Sequence, residues 1–315
     1  MKGLIRTVTG DVPTETLGVT LVHEHLYTDL RPLRGREEAP VPTDEVLAAT
    51  VPLLVEARRA GLTALVECTP PGTGRQPELY RRISQESGVL VVAATGLYKE
   101  PLLPQIAYDW SVEKLADWMI SEIEVGMLGS LGTARTEEAE GEPVRAGLVK
   151  LASSDAGLQG VEAKTLRAAL RASAATGAPI ASHSPSSDAA LAQIDILERE
   201  GGDPARFVVV HANAEPDFER HLEMARRGVY VEYDAIGSAP DEQMVGLTVR
   251  LVEAGYARQL LLSQDVCGWL VGRPPNDRRY AYLLTDFLPT LREAGVSEAE
   301  IGAILVENPR RLLAL

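Results

Sequence analysis

The sequence predicts an α/β fold, a closed (β/α)8 TIM barrel formed as one domain over residues 1–315. Three observations predict it. Eight short apolar runs alternate with helical patterns, the order of a parallel sheet with crossover helices. Eight such units in a chain of this length suit closure into a barrel. No Gly-x-Gly-x-x-Gly turn follows the first run, which weighs against an open nucleotide-binding sheet.

The elements can be taken in order. Residues Lys2–Thr20 form a start marked by the turn residues Gly10, Pro13 and Gly18. The first strand, Val19–Leu26, carries His23 and His25 and leads into a polar, proline-rich loop from Asp29 to Pro42. Thr43 caps a helix through Ala57, which Gly61 stops. Strand two is Leu62–Cys68, followed by a helix over Leu79–Ser87, and strand three is Val89–Gly96. Ser111 opens a helix with Val112, Leu115, Trp118, Met119 and Ile123 at helical spacing. Gly126–Gly147, rich in Gly, Glu and Thr, reads as an exposed loop. Strand four contains Leu148–Ala152, with a helix over Glu162–Ala175 closed by Gly177. Strands five to eight are Pro179–His183, Phe207–His211, Val229–Asp234 and Leu260–Asp265. The helices between them are Asp188–Arg199, Phe218–Arg227 and Asp241–Ala254. A helix over Tyr280–Glu293 follows, then one opened by the Ser297/Glu300 capping box and running through Val306, with Asn308-Pro309 restarting a terminal turn.

Composition bounds the partners. A net charge of -14 argues against nucleic acid and anionic membrane, leaving a small molecule as the expected partner. Two cysteines, Cys68 and Cys267, are no disulfide framework and fit a reducing cytoplasm. Cys68 reads as core, and Cys267 as a pocket-lining candidate. No run approaches a membrane span, and Met1–Asp11 lacks the apolar stretch of a signal peptide.

The chemistry centres on Lys150. In Leu148-Val149-Lys150-Leu151-Ala152 it shares a strand face with Leu148 and Ala152. An unpaired buried ammonium is costly, so Lys150 must be neutralised, paired or modified. His23 and His25 are two apart, so both rings face one way while Glu24 points towards the helices. Such a pair is a natural two-nitrogen chelate for a transition metal. His183, His211 and Asp265 end three further strands, and in this fold strand C-termini carry the active site. His221, beside Glu219, Arg220 and Glu223, reads as a surface residue. Trp269 and Leu270 read as exposed apolar loop residues.

Gly18–His25, Thr95-Gly96-Leu97-Tyr98, Gly147–Ala152, Ser182-His183-Ser184, Val210-His211 and Leu262-Ser263-Gln264-Asp265 together resemble the phosphotriesterase family of the amidohydrolase superfamily. That family includes the phosphotriesterase-like lactonases and the phosphotriesterase homology proteins. The resemblance implies a binuclear centre of two divalent ions: zinc, cobalt, manganese or iron. His23, His25 and Asp265 would hold the more buried ion, and His183 and His211 the more exposed one. Lys150, carboxylated by carbon dioxide, would bridge them as a carbamate, with a hydroxide completing the bridge. Asp265 would also carry the proton, and Tyr98 would meet substrate or solvent.

The pattern departs from the triesterases and acyl-homoserine lactonases at Ser263-Gln264-Asp265, where they carry Ser-His-Asp, and at Asp234-Ala235, where the lactonases carry Asp-Arg. These departures, and Tyr280–Pro289, lean towards the homology-protein and sugar-lactonase branches. Gln264 and Arg273 are the substrate-binding candidates. Arg273, Arg278 and Arg279 could receive a phosphate, which would suit a phosphorylated sugar lactone. The expected activity is hydrolysis of lactones, acyl-homoserine or sugar and phosphosugar, with promiscuous action on organophosphate triesters. The alternatives are a dedicated phosphotriesterase and, in another class, a barrel that binds a small molecule without turnover. The resemblance also suggests a homodimer.

Overall fold

The computed structural model describes residues 3–36, 40–127, 142–154, 157–274 and 278–315. Two strands, β1 (Leu4–Thr7) and β2 (Gly10–Pro13), form an antiparallel hairpin where the sequence showed only turn residues. The parallel barrel strands follow: β3 (Val19–Glu24), β4 (Leu62–Glu67), β5 (Leu90–Leu97), β6 (Leu148–Ala152), β7 (Ile180–His183), β8 (Phe207–Val210), β9 (Tyr230–Tyr233) and β10 (Leu260–Leu262). Each pairs with its neighbours in sequence. The β10–β3 seam closes just past the strand ends, where Asp265 N donates to His23 O (3.1 Å), His25 N to Val266 O (2.9 Å) and Gly268 N to His25 O (2.8 Å). This is the barrel that the alternation predicted.

Side-chain alternation divides the core in two. Val149 and Leu151 pack outward against the helices, with Leu65, Val91, Val209 and Val231 of other strands. Leu148 faces inward with Ala64, Val66, Val92, Ala94, Ala181, Val208 and Leu261. Ile5 and Leu17 from the N-terminal segment and Leu312 and Leu313 from the C-terminus join this inner cluster and plug the bottom of the barrel. Hydrogen bonds hold the plug in place: Val8 N to Val91 O (2.8 Å), Leu315 N to Leu4 O (2.9 Å) and Arg206 Nη1 to Leu312 O (2.7 Å).

Strand β3 breaks the simple alternation. Its register against β4 runs Leu21↔Leu65 and then Glu24↔Glu67, so β3 carries one extra residue between them. This β-bulge puts both Val22 and His23 on the inner face, with Leu21 before them and Glu24 after them facing out. Without the bulge, a strand with Val22 inside would turn His23 and His25 away from the barrel axis.

The helical layer supports the strand ends. Ser111 caps the helix Val112–Glu124 by accepting from Lys114 N (3.2 Å), and Ser297 and Glu300 form the expected capping box. Arg75 and Glu122, both fully buried, pair through two bonds of 2.6 and 2.7 Å between the loop after β4 and that helix. Two segments differ from simple helices. A π-helical turn at Leu283–Phe287 precedes Pro289, and another at Ala303–Glu307 precedes Pro309. Proline offers no N–H to the turn before it, and the wider turn accommodates that loss without breaking the chain direction. The terminal helix therefore continues through Asn308–Leu313 rather than restarting. Most of the loop expected at Gly126–Gly147 lies outside the described residues, since 128–141 are not described.

Candidate metal centre

One cavity opens at the C-terminal ends of the strands, and six predicted residues converge on its lining: His23, His25, Lys150, His183, His211 and Asp265. Tyr98 joins them there. Strand register explains the convergence. Lys150 pairs with Gly96 and Ala181, and Ala152 with His183, so inward residues of β6 and β7 rise in successive layers to one mouth. Gly96, at φ +104°, allows the closest approach, since a Cβ there would lie 2.1 Å from Lys150 O. Among the described residues, His211 and Asp265 are the two non-glycine residues with positive φ, at 62° and 49°. His211 directly follows β8 and Asp265 lies in the turn beyond β10, and the backbone there turns each side chain into the mouth.

The rings are fixed from behind. His23 presents Nδ1 to Glu232 (2.8 Å) and Asp234 (3.0 Å), and its Nε2 lies 2.9 Å from Lys150 Nζ. His25 presents Nδ1 to Thr69 Oγ1 (2.7 Å), and Thr69 donates to Glu67 Oε1 at 2.5 Å. His211 presents Nδ1 to Asp234 Oδ1 at 3.0 Å. The Tyr98 hydroxyl lies 3.2 Å from His183 Nδ1. Asp265 Oδ1 lies 3.3 Å from His25 Nε2 and 3.8 Å from His23 Nε2.

Electrostatics keep these groups in ligand form. Burial, helped by His211, pushes the His183 imidazole down to about 2, so it stays neutral with a lone pair to offer. Burial alone would raise Asp265, but His23 and His25 outweigh it and hold the carboxyl well below its usual range. Beneath them, burial and the charge of Asp234 raise Glu232 well above the ordinary carboxyl range. Asp234 moves the other way: against its burial, His211 and His23 hold it ionised.

The donor set fits divalent ions. His23, His25 and Asp265 bring three ligand atoms within 4.8 Å of one another, and His23, His211 and Asp234 form a second such group. In the second group both rings turn Nδ1 towards Asp234, which makes Asp234 the orienting carboxylate behind two histidines.

Other expectations fall elsewhere. The Gln264 side chain is buried and turned from the cavity, donating to Tyr280 O (3.1 Å) and accepting from Leu283 N (2.7 Å). Arg273 lines a separate cavity with Arg31, Arg36 and Trp269. Arg279 pairs with Glu56 and Asp286, and Arg278 with backbone carbonyls. Trp269 and Leu270 are half-buried rather than exposed. Glu24 does face outward, but it is sealed in the β10–β3 seam, accepting from Ser263 Oγ, Gln264 N and Val266 N. Cys68 is core and also lines the cavity with Cys267. His221 is fully buried, not surface, bonded to Tyr233 OH (2.7 Å) and Glu215 O (2.9 Å). Its charged neighbours hid a face that packs on β9.

The residues missed are those behind the candidate ligands: Glu232, Asp234, Thr69 and Glu67. Alternation in Tyr230–Asp234 places Glu232 and Asp234 on one face, a readable signal. Thr69 lies beyond its strand and had none.

A barrel with this donor set at its mouth is the framework of a metal-dependent hydrolase acting on ester bonds. The chain belongs to the phosphotriesterase family, whose model matches residues 3–313. It is 30% identical to the phosphotriesterase homology protein of Escherichia coli K12 over 296 residues, 93% of this chain and 96% of that one. It is 27% identical to the aryldialkylphosphatase of Saccharolobus solfataricus over 316 residues, 96% of this chain and 97% of that one. A solved variant of the PTE-like lactonase of Deinococcus radiodurans superposes with a TM-score of 0.87 at 30% identity, covering 98% of this chain and 100% of that one. Family membership implies a binuclear divalent-metal site. Among the described residues no helix is long and apolar enough to cross a membrane.

Proposed function

We propose that this protein opens neutral lactones by metal-assisted hydrolysis, with weak action on organophosphate triesters. One observation carries the reading: beyond the six convergent groups, the described lining of the cavity is uncharged, being Thr28, Leu30, Cys68, Pro70, Thr73, Tyr98 and Cys267. A phosphorylated lactone would bring a dianion needing cations at the mouth. The arginines of the last loop are placed elsewhere, which favours a plain lactone. Likeness to the lactonase supports lactone over triester. Likeness to the aryldialkylphosphatase keeps a dedicated phosphotriesterase as the second reading.

His23, His25 and Asp265 would hold the more buried ion and His183 and His211 the more exposed one. When bound, two divalent ions supply Lewis acidity and lower the pKa of a shared water towards neutrality. Lys150 is 1% exposed, with Nζ against the ring nitrogen of His23. Addition of the unprotonated amine to carbon dioxide would form a C–N bond, release one proton and give the centre an anionic oxygen ligand. The modification would exchange a buried nitrogen able to carry positive charge for an anionic ligand. Asp265, held ionised and 38% exposed at the side chain, is the acceptor for the attacking water's proton and its donor to the leaving alkoxide. Tyr98 orients His183 or the substrate oxygen through its hydroxyl. A homodimer in the cytoplasm completes the proposal, with light scattering as the check on its mass.

The test is a hydrolysis panel of plain lactones, phosphorylated lactones and one paraoxon-like triester. Plain lactones should turn over fastest. Dominant triester turnover would establish the second reading, and preference for phosphorylated lactones would contradict the uncharged-mouth argument.

A further inference from the structure

We propose that Arg278 is a positioning residue that sets where the Asp265 carboxylate sits. The inference rests on the role given to Asp265 above. Arg278 donates through Nη1 to Asp265 O (2.9 Å) and through Nη2 to Gln264 O and Ile236 O, the last at 3.3 Å. Its fork thus takes two consecutive carbonyls after β10 and one from the loop after β9, which a lysine's point charge cannot reproduce. The amides of the same turn are held from the other side. Gln264 N and Val266 N donate to Glu24 at 3.0 and 2.7 Å, and Asp265 N to His23 O at 3.1 Å. Asp265 is caught between the two sets at φ +49°, a backbone state uncommon outside glycine. That state aims Oδ1 at Nε2 of His25 and His23. If Arg278 is removed, two adjacent carbonyls lose their donor and the turn can relax towards ordinary dihedrals, carrying the carboxylate away from the rings.

The experiment compares wild type with Arg278→Lys and Arg278→Met by three readouts. The first is amide exchange of the metal-free protein over Gln264–Val266. It should quicken at least about tenfold in both variants, the turn being a low-stability local opening once unclamped. The second is zinc titration, in which one of two ions should weaken by about 10–100-fold, the usual cost of losing outer support for a ligand. The third is lactone kinetics, where kcat should fall with KM little changed, as expected for a misplaced proton acceptor. Wild-type exchange in both variants overturns the assignment whatever the metal content. Equal weakening of both ions with a lowered Tm makes Arg278 a general fold residue and also overturns it. A wild-type protein that binds fewer than two zinc ions contradicts the binuclear reading instead, and the exchange result alone then decides Arg278.

Discussion

The two ends of this barrel use one rule to opposite ends. At the bottom, inward positions are filled by Ile5, Leu17, Leu312 and Leu313, an apolar plug supplied by the chain termini. At the top, two residues past the inward Leu148, Ala181 and Tyr230 of their strands, stand Lys150, His183 and Glu232, with His211 and Asp265 at the turns. Leu148 and Lys150 differ by one step of alternation, yet one belongs to the dry core and the other to the cavity. The bottom contributes burial; the top spends its polar contacts on holding ring nitrogens and a carboxylate in place. Stability and chemistry should therefore separate by mutation along the barrel axis.

The largest effect is expected at the top. On the proposed role of Asp265, Asp265→Asn would take away the proton acceptor and an anionic ligand, and kcat for lactones should fall by about 10²–10⁴-fold. Circular dichroism and Tm of the metal-free protein should stay near wild type. A similar loss of Tm would erase the contrast between the two ends.

The converse change is Leu312→Ala in the plug. Truncation of this buried side chain should cost about 2–5 kcal/mol in denaturant unfolding. Turnover per folded, metal-loaded molecule should be unchanged, and a drop in kcat would show that the plug is coupled to the mouth.

A smaller effect concerns His221, between the ends and outside the barrel. Burial lowers its pKa, so the folded protein binds fewer protons there than the unfolded chain. Its contribution to stability is present above the unfolded value near about 6.5 and is lost as pH falls below it. His221→Gln should flatten the acid side of the stability curve measured by urea unfolding between pH 7 and 5. An unchanged slope would mean that His221 already protonates in the folded state.

The smallest effect is at Arg273. It lines a cavity distinct from the central one, so Arg273→Ala should leave kcat/KM for plain and phosphorylated lactones within about twofold. A selective loss on phosphorylated lactones would bring that cavity into the substrate site.

The fold was readable because βα alternation is a long, repeated signal, and the placement of His23, His25, Lys150, His183, His211 and Asp265 at one mouth followed from it. Other features were not readable, for local reasons. The hairpin at Leu4–Pro13 gains its order by docking on β5 and the C-terminus, a tertiary cause absent from its own residues. The bulge in β3 cannot be seen in Val22-His23, because His-x-His alternation puts the two rings on one shared face with or without it. Gln264 and Arg278 sit in the right loop for substrate contact, and only their hydrogen bonds show that they serve the backbone. His221 has charged neighbours on its helix and a buried tyrosine as its partner.

The central claim is that the six groups at the top form a two-ion hydrolytic centre held together by Lys150. Elemental analysis of wild type and Lys150→Ala, each reconstituted with zinc and bicarbonate, tests it most directly. The wild type should hold close to two ions per chain and the variant fewer, with lactone turnover lost along with them. Two ions and full turnover in Lys150→Ala, or no bound metal with normal ligand binding in the wild type, would contradict it.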